Sequence, residues 1–341
     1  MMQLDQHNRP LKNLRLSVTD RCNLRCQYCM PEENYAWFPH EKILSFEESS
    51  RLVDVFLDLG VDKVRLTGGE PLLRRDLHEL VRMLAAKPRI KDLALTTNAV
   101  LLEEQIEAMI DAGLGRITVS LDTLSEGRFK TLSKRDDFHR VMRGIESVRS
   151  HGLTKGFKLD TVAMRGINDD ELVDLIEFAT NVDAEVRFIE FMDVGGATTW
   201  SKDKVVSRAE MLNTLEAHYG KIEPLVKVDT APAEQYQLKD GRVFGIIAST
   251  TRPFCGTCDR SRLTADGKWF LCLYAALGFD LKKPIRDGAT NEEISALIQS
   301  TWQHRTDKGA EDRLAMAERA PLADADEMKK NPHLEMHTRG G

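Results

Sequence analysis

The chain has 341 residues, a mass of 38.6 kDa and a net charge of −6. At about 150 residues per domain the length allows two domains, and 42% apolar with 30% charged residues excludes collagen-like, coiled-coil and largely disordered chains. The acidic balance argues against a general nucleic-acid binder, no run approaches the ~18 apolar residues of a membrane span, and the first residues lack a secretory apolar core, so a cytoplasmic protein free of membrane is expected.

The first two thirds alternate between strand and helix patterns. Leu14 to Val18 alternates apolar and polar residues, as a half-buried strand does. Ser45 and Glu48 form a capping box before an apolar run that stops at Gly60. Asp62 to Thr67 is the next strand, ended by Gly68-Gly69-Glu70-Pro71, with a helix from about Arg75 to Ala86. Leu93 to Thr97, Arg116 to Leu121, Phe157 to Ala163 and Glu185 to Phe191 continue as strands. Helices fall between them at Leu101 to Ala112, Phe138 to His151 and, capped by Asn168 and Glu171, on to about Thr180. Ser207 and Glu210 cap a further helix that ends near Gly220.

Six β-α units in a row imply a parallel sheet with right-handed crossovers. One parity of each strand is apolar, as in Leu14, Leu16 and Val18. The other is often polar: Arg15 and Ser17, Arg65 and Thr67, Thr96, Thr118 and Ser120, Lys158 and Asp160, Glu190 and Met192. A doubly wound sheet would be apolar on both faces. The pattern therefore predicts an α/β fold, a partial (β/α)6 TIM-like barrel with a wet lumen; a sheet covered on one face is the alternative. After Gly220 the pattern changes, with Asp240-Gly241 and Asp266-Gly267 as hairpin turns, a helix over Asn291 to Gln303 and charged surface segments over 304–335. The expected division is 1–220 for the barrel and 221–341 for a C-terminal extension.

The six cysteines fall in two groups of three, Cys22, Cys26 and Cys29, then Cys255, Cys258 and Cys272. Three thiols cannot pair off internally as disulfides, so two metal or cluster sites are the economical reading. The first group follows the first strand, at the barrel mouth where active sites form. A 4Fe–4S cube asks for four ligands, and three cysteines leave one iron open to a small molecule. A zinc site completed by His7 or His40 is the alternative there, and a zinc knuckle with a distant fourth ligand is the alternative at the second group. Arg260 and Arg262, two apart in a strand-like segment, project the same way and suit a polyanion. No Gly-x4-Gly-Lys-Ser/Thr loop is present, so a polyphosphate would be neutralised by side chains; Arg15, Arg65 and Lys158 share the polar parity and would converge in one lumen.

The run Leu16-Ser17-Val18-Thr19-Asp20-Arg21-Cys22-Asn23-Leu24-Arg25-Cys26-Gln27-Tyr28-Cys29-Met30-Pro31 resembles the signature of the radical S-adenosylmethionine (SAM) superfamily, and Gly68-Gly69-Glu70-Pro71 its second motif. Glycines there would let backbone carbonyls approach a bound ammonium group. Together with Leu95-Thr96-Thr97-Asn98, Val119-Ser120-Leu121-Asp122, Arg187-Phe188-Ile189-Glu190-Phe191-Met192 and Phe254-Cys255-Gly256-Thr257-Cys258-Asp259-Arg260-Ser261-Arg262, these motifs resemble the GTP 3′,8-cyclase family of molybdenum cofactor biosynthesis.

The resemblance runs from about Leu14 to Tyr274 and includes the final Gly340-Gly341. It implies two 4Fe–4S clusters, one on Cys22, Cys26 and Cys29 that binds SAM, and one on Cys255, Cys258 and Cys272 that binds guanine. It places SAM against Tyr28, Gly69, Ser120 and Met192, and GTP against Arg15, Arg65, Thr96, Lys158, Arg260 and Arg262. A deoxyadenosyl radical would abstract the ribose 3′ hydrogen, the carbon radical would attack guanine C8, and reduction would give 3′,8-cyclo-7,8-dihydro-GTP. An electron donor and a downstream synthase of cyclic pyranopterin monophosphate are the implied partners, and a homodimer is left open. Gly340 and Gly341 would enter the active site, with Arg339 as an added cation facing the substrate or the SAM carboxylate. Two departures stand out: Asp160 where the family usually has Asn, and no hydrophobic residue just before the diglycine.

Overall fold

The computed structural model describes residues 3–340. Six parallel strands run in sequence order, β1 (Asn13–Ser17), β2 (Lys63–Thr67), β3 (Asp92–Thr97), β4 (Arg116–Ser120), β5 (Lys158–Ala163) and β6 (Glu185–Glu190). The helices between them are α1 (Phe46–Asp58), α2 (Leu77–Ala85), α3 (Leu102–Asp111), α4 (Glu126–Ser133), α5 (Phe138–Ser150) and α6 (Leu172–Asn181), with α7 (Arg208–Tyr219) after β6. Both expected capping boxes, Ser45 with Glu48 and Ser207 with Glu210, are formed. The apolar strand parity, including Leu14, Leu16, Leu66, Ile117 and Leu159, is buried against helix residues such as Leu52, Phe56, Leu80 and Ile145. Each such side chain contributes roughly 1.5–3 kcal/mol of transfer free energy, which fixes the outer layer and turns the polar parity inward.

The C-terminal strands complete a sheet of twelve. They are β7 (Glu223–Pro224), β8 (Glu234–Gln237), β9 (Val243–Ile247), β10 (Arg260–Leu263), β11 (Lys268–Phe270) and β12 (Phe279–Asp280). β9 lies parallel to β6 and β10 parallel to β1, so the two hairpins extend the opposite edges of the six-stranded barrel. The two Asp-Gly turns join β8 to β9 and β10 to β11 in antiparallel pairs. After β12 come α8 (Lys282–Arg286), α9 (Asn291–Gln303), α10 (Gly309–Leu314), α11 (Ala325–Lys330) and the four-residue α12 (Met336–Arg339). Among the described residues no helix is long and apolar enough to cross a membrane.

Three expectations are corrected. Asn168 and Glu171 do not cap α6. Asn168 instead satisfies the Met164 amide and the Asp122 and Val162 carbonyls, while Glu171 binds Thr123 and the Leu124 amide. On β6 the expected parity is incomplete: Glu185, Arg187 and Ile189 line the cavity along with Glu190 and Met192, and Glu190 is fully buried on the amides of Thr250, Thr251 and Arg208, joining β6 to the segment after β9. Residues 304–335 are not all surface. Arg305 is 2% exposed and, with Arg9 from the other end of the chain, donates to the carbonyls of Cys258 and Cys255. Ala323, Met328 and Leu334 form a small core of their own.

Candidate active site

A cavity of about 650 Å³ opens inside the barrel and is lined by all six cysteines. Arg15, Arg65, Gly69, Thr96, Ser120, Lys158, Met192, Arg260 and Arg262 share its wall, as does Tyr28. Both cysteine groups therefore face one space, although they lie more than two hundred residues apart in the chain.

The first cysteine loop is pinned from two sides. The amides of Arg25 and Gln27 donate to Ser133 and Leu132 at the end of α4, a helix the sequence reading did not include. On the other side the amides of Gly69 and Glu70 donate to Thr19 and Arg21. A Cβ on Gly69 would stand 2.3 Å from the Arg21 carbonyl oxygen, so glycine is required here by the approach of two loops. Glu70, driven up to about 7 by burial, is spent on the Leu72 and Asn98 amides and the Thr97 hydroxyl. It holds the mouth of β2 to that of β3.

The three thiols are free and half-buried. Burial and then nearby negative charge push all three up, Cys22 to about 11, with Asp122 and the neighbouring thiols acting on Cys26. Such thiols ionise on binding a cation, which fits a thiolate-ligated cluster. Neither candidate histidine reaches them as a zinc ligand would: His7 is exposed and turned to the Thr306 carbonyl, and His40 is exposed in a short turn after Pro39. Among the described residues no three His, Cys, Asp or Glu side chains gather on one point as a single ion demands. Tyr28 donates to Asp122 at 2.7 Å, which orients its ring in the cavity wall.

The second group is chemically different. Cys258 lies 3.5 Å from the Arg260 guanidinium, and Tyr274 donates its amide to Cys272 at 3.5 Å. Burial alone would raise Cys258, but Arg260 and Arg305 bring it down to about 7, so this thiol ionises readily. Arg260 also sits over the Phe254 ring at 4.6 Å.

Four arginines of the same wall form a field of cations. Arg15 is paired in register with Arg65 on one side and Arg262 on the other. Among the described residues none of Arg15, Arg65, Arg260 and Arg262 has a carboxylate within ion-pair distance. Arg65 instead donates to Thr96 at 2.8 Å and Thr118 at 3.0 Å. Burial first, and the other guanidiniums second, lower the pKa of Arg15, Arg65 and Arg262, the last to about 9. A bound polyanion would relieve both terms.

Lys158 is not free in the same way, since it pairs with Glu185 at 2.7 Å. Asp160 makes a two-point contact with Arg187, at 2.7 and 2.8 Å, which explains how an acid is tolerated beside the cations. Sequence reasoning missed Arg187 as a lumen cation. Its signal was the register opposite Asp160, hidden because the parity of β6 was read from Glu190 and Met192.

The tail reaches this space. The Gly340 carbonyl accepts from Arg15 at 3.3 Å and from Arg262. Gly341 lies outside the described residues. Arg339 corrects an expectation: it does not line the cavity, and its guanidinium stacks 4.3 Å over Phe270 and donates to the carbonyls of Leu273 and His333.

A family model described as the Radical SAM superfamily matches residues 16–179, and one described as Molybdenum Cofactor Synthesis C matches 184–311. The chain is 57% identical to GTP 3′,8-cyclase 1 of Mycobacterium tuberculosis, over 99% of this chain and 95% of that one. It is 42% identical to GTP 3′,8-cyclase of Staphylococcus aureus, over 91% and 93%. Among solved structures, Streptococcus suis SuiB bound to S-adenosylmethionine aligns with a TM-score of 0.60 at 13% identity, over 91% of this chain and 69% of that one, which supports the fold.

Proposed function

We propose that this chain, which belongs to the GTP 3′,8-cyclase family of radical SAM enzymes, converts GTP to 3′,8-cyclo-7,8-dihydro-GTP, the first step of molybdenum cofactor biosynthesis. The observation that carries the reading is a cavity of about 650 Å³ lined by both cysteine triads and by four arginines that have no carboxylate partner among the described residues. Cys22, Cys26 and Cys29 would hold a 4Fe–4S cluster, which when bound supplies the electron that cleaves SAM to methionine and a 5′-deoxyadenosyl radical. Tyr28, the backbone at Gly69, Ser120 and Met192 would bind and orient SAM.

Arg15, Arg65, Thr96, Lys158, Arg260 and Arg262 would hold GTP, the arginines by forked contacts to phosphate oxygens. The enclosing strands exclude water and other hydrogen donors from the reacting ribose carbon. The 3′ hydrogen leaves with the deoxyadenosyl group, C3′ joins guanine C8, and one further electron and a proton complete the product.

Cys255, Cys258 and Cys272 would hold a second 4Fe–4S cluster beside the guanine. The lowered Cys258 thiol supports this assignment. In this reading residues 1–220 form the catalytic barrel and 221–341 the auxiliary region. The protein is cytoplasmic, takes electrons from an external donor, passes its product to a synthase of cyclic pyranopterin monophosphate, and admits a homodimer.

The test is anaerobic incubation of the reconstituted chain with SAM, dithionite and GTP. The cyclised nucleotide and 5′-deoxyadenosine should appear together; SAM cleavage with GTP recovered unchanged would refute the activity. Arg65→Ala should weaken GTP binding by roughly ten- to a hundred-fold, as loss of a charge-assisted contact of about 1.5–3 kcal/mol implies, with SAM affinity nearly unchanged. Titration calorimetry with each ligand separates the two, and equal losses would mean a folding defect.

A further inference from the structure

The segment that carries Gly340 is held by an aromatic contact outside the cation field. His337 is 5% exposed and sits edge-on to two rings, Tyr35 at 5.3 Å and Trp37 at 5.9 Å. The two rings are themselves stacked at 5.7 Å, and the Arg25 guanidinium lies 5.5 Å from each. Arg25 also donates to the Cys22 and Leu24 carbonyls, so the rings are aimed from within the first cysteine loop. Tyr35 and Trp37 belong to a stretch without helix or strand, so ladder hydrogen bonds do not set their positions.

We propose that Tyr35 and Trp37, braced by Arg25, form a clasp on His337 and act as positioning residues that seat Gly340 in the cavity. The inference rests on the cyclase reading for its catalytic consequence. Two residues separate the clasped ring from the glycine, and α12 with its Thr338 bonds to the Glu335 and Pro332 carbonyls makes that link short and stiff. The clasp therefore sets where the Gly340 carbonyl meets Arg15 and Arg262. It also ties the tail to the loop that carries Cys22, Cys26 and Cys29, so ordering of one favours ordering of the other. Edge-on aromatic and cation–π contacts are individually modest, and their joint loss is enough to shift a seated segment toward an unseated one.

The experiment is hydrogen exchange over residues 336–340 in the reconstituted full-length chain, without GTP. Trp37→Ala should speed exchange there by about ten-fold, whereas Trp37→Phe should stay within about three-fold of the parent. His337→Ala, made from the other side of the contact, should match Trp37→Ala. In the same Trp37→Ala preparation, GTP cyclisation should fall by about ten-fold while GTP-independent SAM cleavage holds. Unchanged tail exchange in Trp37→Ala or His337→Ala overturns the clasp. So does faster tail exchange that comes only with loss of protection throughout β1 and β2, because the contact is then not a separable positioning device. Exchange is read without GTP, so a parent chain that failed to cyclise GTP would overturn the activity and leave the clasp standing.

Discussion

Gly340→Ala should reduce GTP cyclisation by at least about a hundred-fold while preserving iron content and uncoupled SAM cleavage. The added Cβ would stand 1.8 Å from the Thr67 hydroxyl oxygen and 2.8 Å from that of Ser17. Those two residues face each other in register on β1 and β2, and both are buried, so neither hydroxyl has open space to retreat into. Residue 340 also has φ +64°, where any residue with a Cβ is strained by roughly 1 kcal/mol or more. Alanine must therefore unseat the tail and withdraw the carbonyl that now meets Arg15 and Arg262. A displacement of about 1 Å in a positioned reactant can itself cost a hundred-fold. SAM cleavage depends on the first cysteine loop, which keeps its ties to α4 and to Gly69. A Gly340→Ala chain that cyclises GTP at the parent rate would show that the tail need not be seated.

Cys258→Ser should lower bound iron from ~8 to ~4 atoms per chain, abolish cyclisation and spare SAM cleavage. All six cysteines belong to the two triads, so each triad stands or falls as a unit. Cys258 is the most readily ionised of the second group because Arg260 and Arg305 outweigh its burial. Its loss removes the best thiolate and leaves Cys255 and Cys272, both raised by burial, to ionise without it. Stoichiometric, tightly bound zinc in the parent chain would contradict the two-cluster assignment. Iron analysis, together with electron paramagnetic resonance of the reduced protein, reads the outcome.

Much of the architecture is local and so could be read along the chain. The β-α alternation follows from apolar periodicity, and the capping boxes at Ser45 and Ser207 are reciprocal bonds between residues three apart. The cysteine spacing and Gly68-Gly69-Glu70 are likewise short-range features. What escaped depends on contacts across the fold. The Asp160–Arg187 pair depends on the register of β5 with β6. Arg9 and Arg305 reach the second cysteine loop from opposite ends of the chain, and a charged arginine in a polar stretch reads as surface until its carbonyl partners are in place. At Gly69 the Arg21 carbonyl of another loop already forbids a side chain, a reason that cannot be read along the chain. The direction of Arg339 followed from Phe270 and Leu273, far away in sequence.

The central claim is that one cavity brings a SAM-derived radical to the 3′ carbon of GTP. Its most direct test is turnover with GTP deuterated at C3′, under anaerobic reduction with SAM. Deuterium should move into 5′-deoxyadenosine as the cyclised nucleotide forms. Unlabelled 5′-deoxyadenosine alongside a product that keeps its deuterium would contradict the claim.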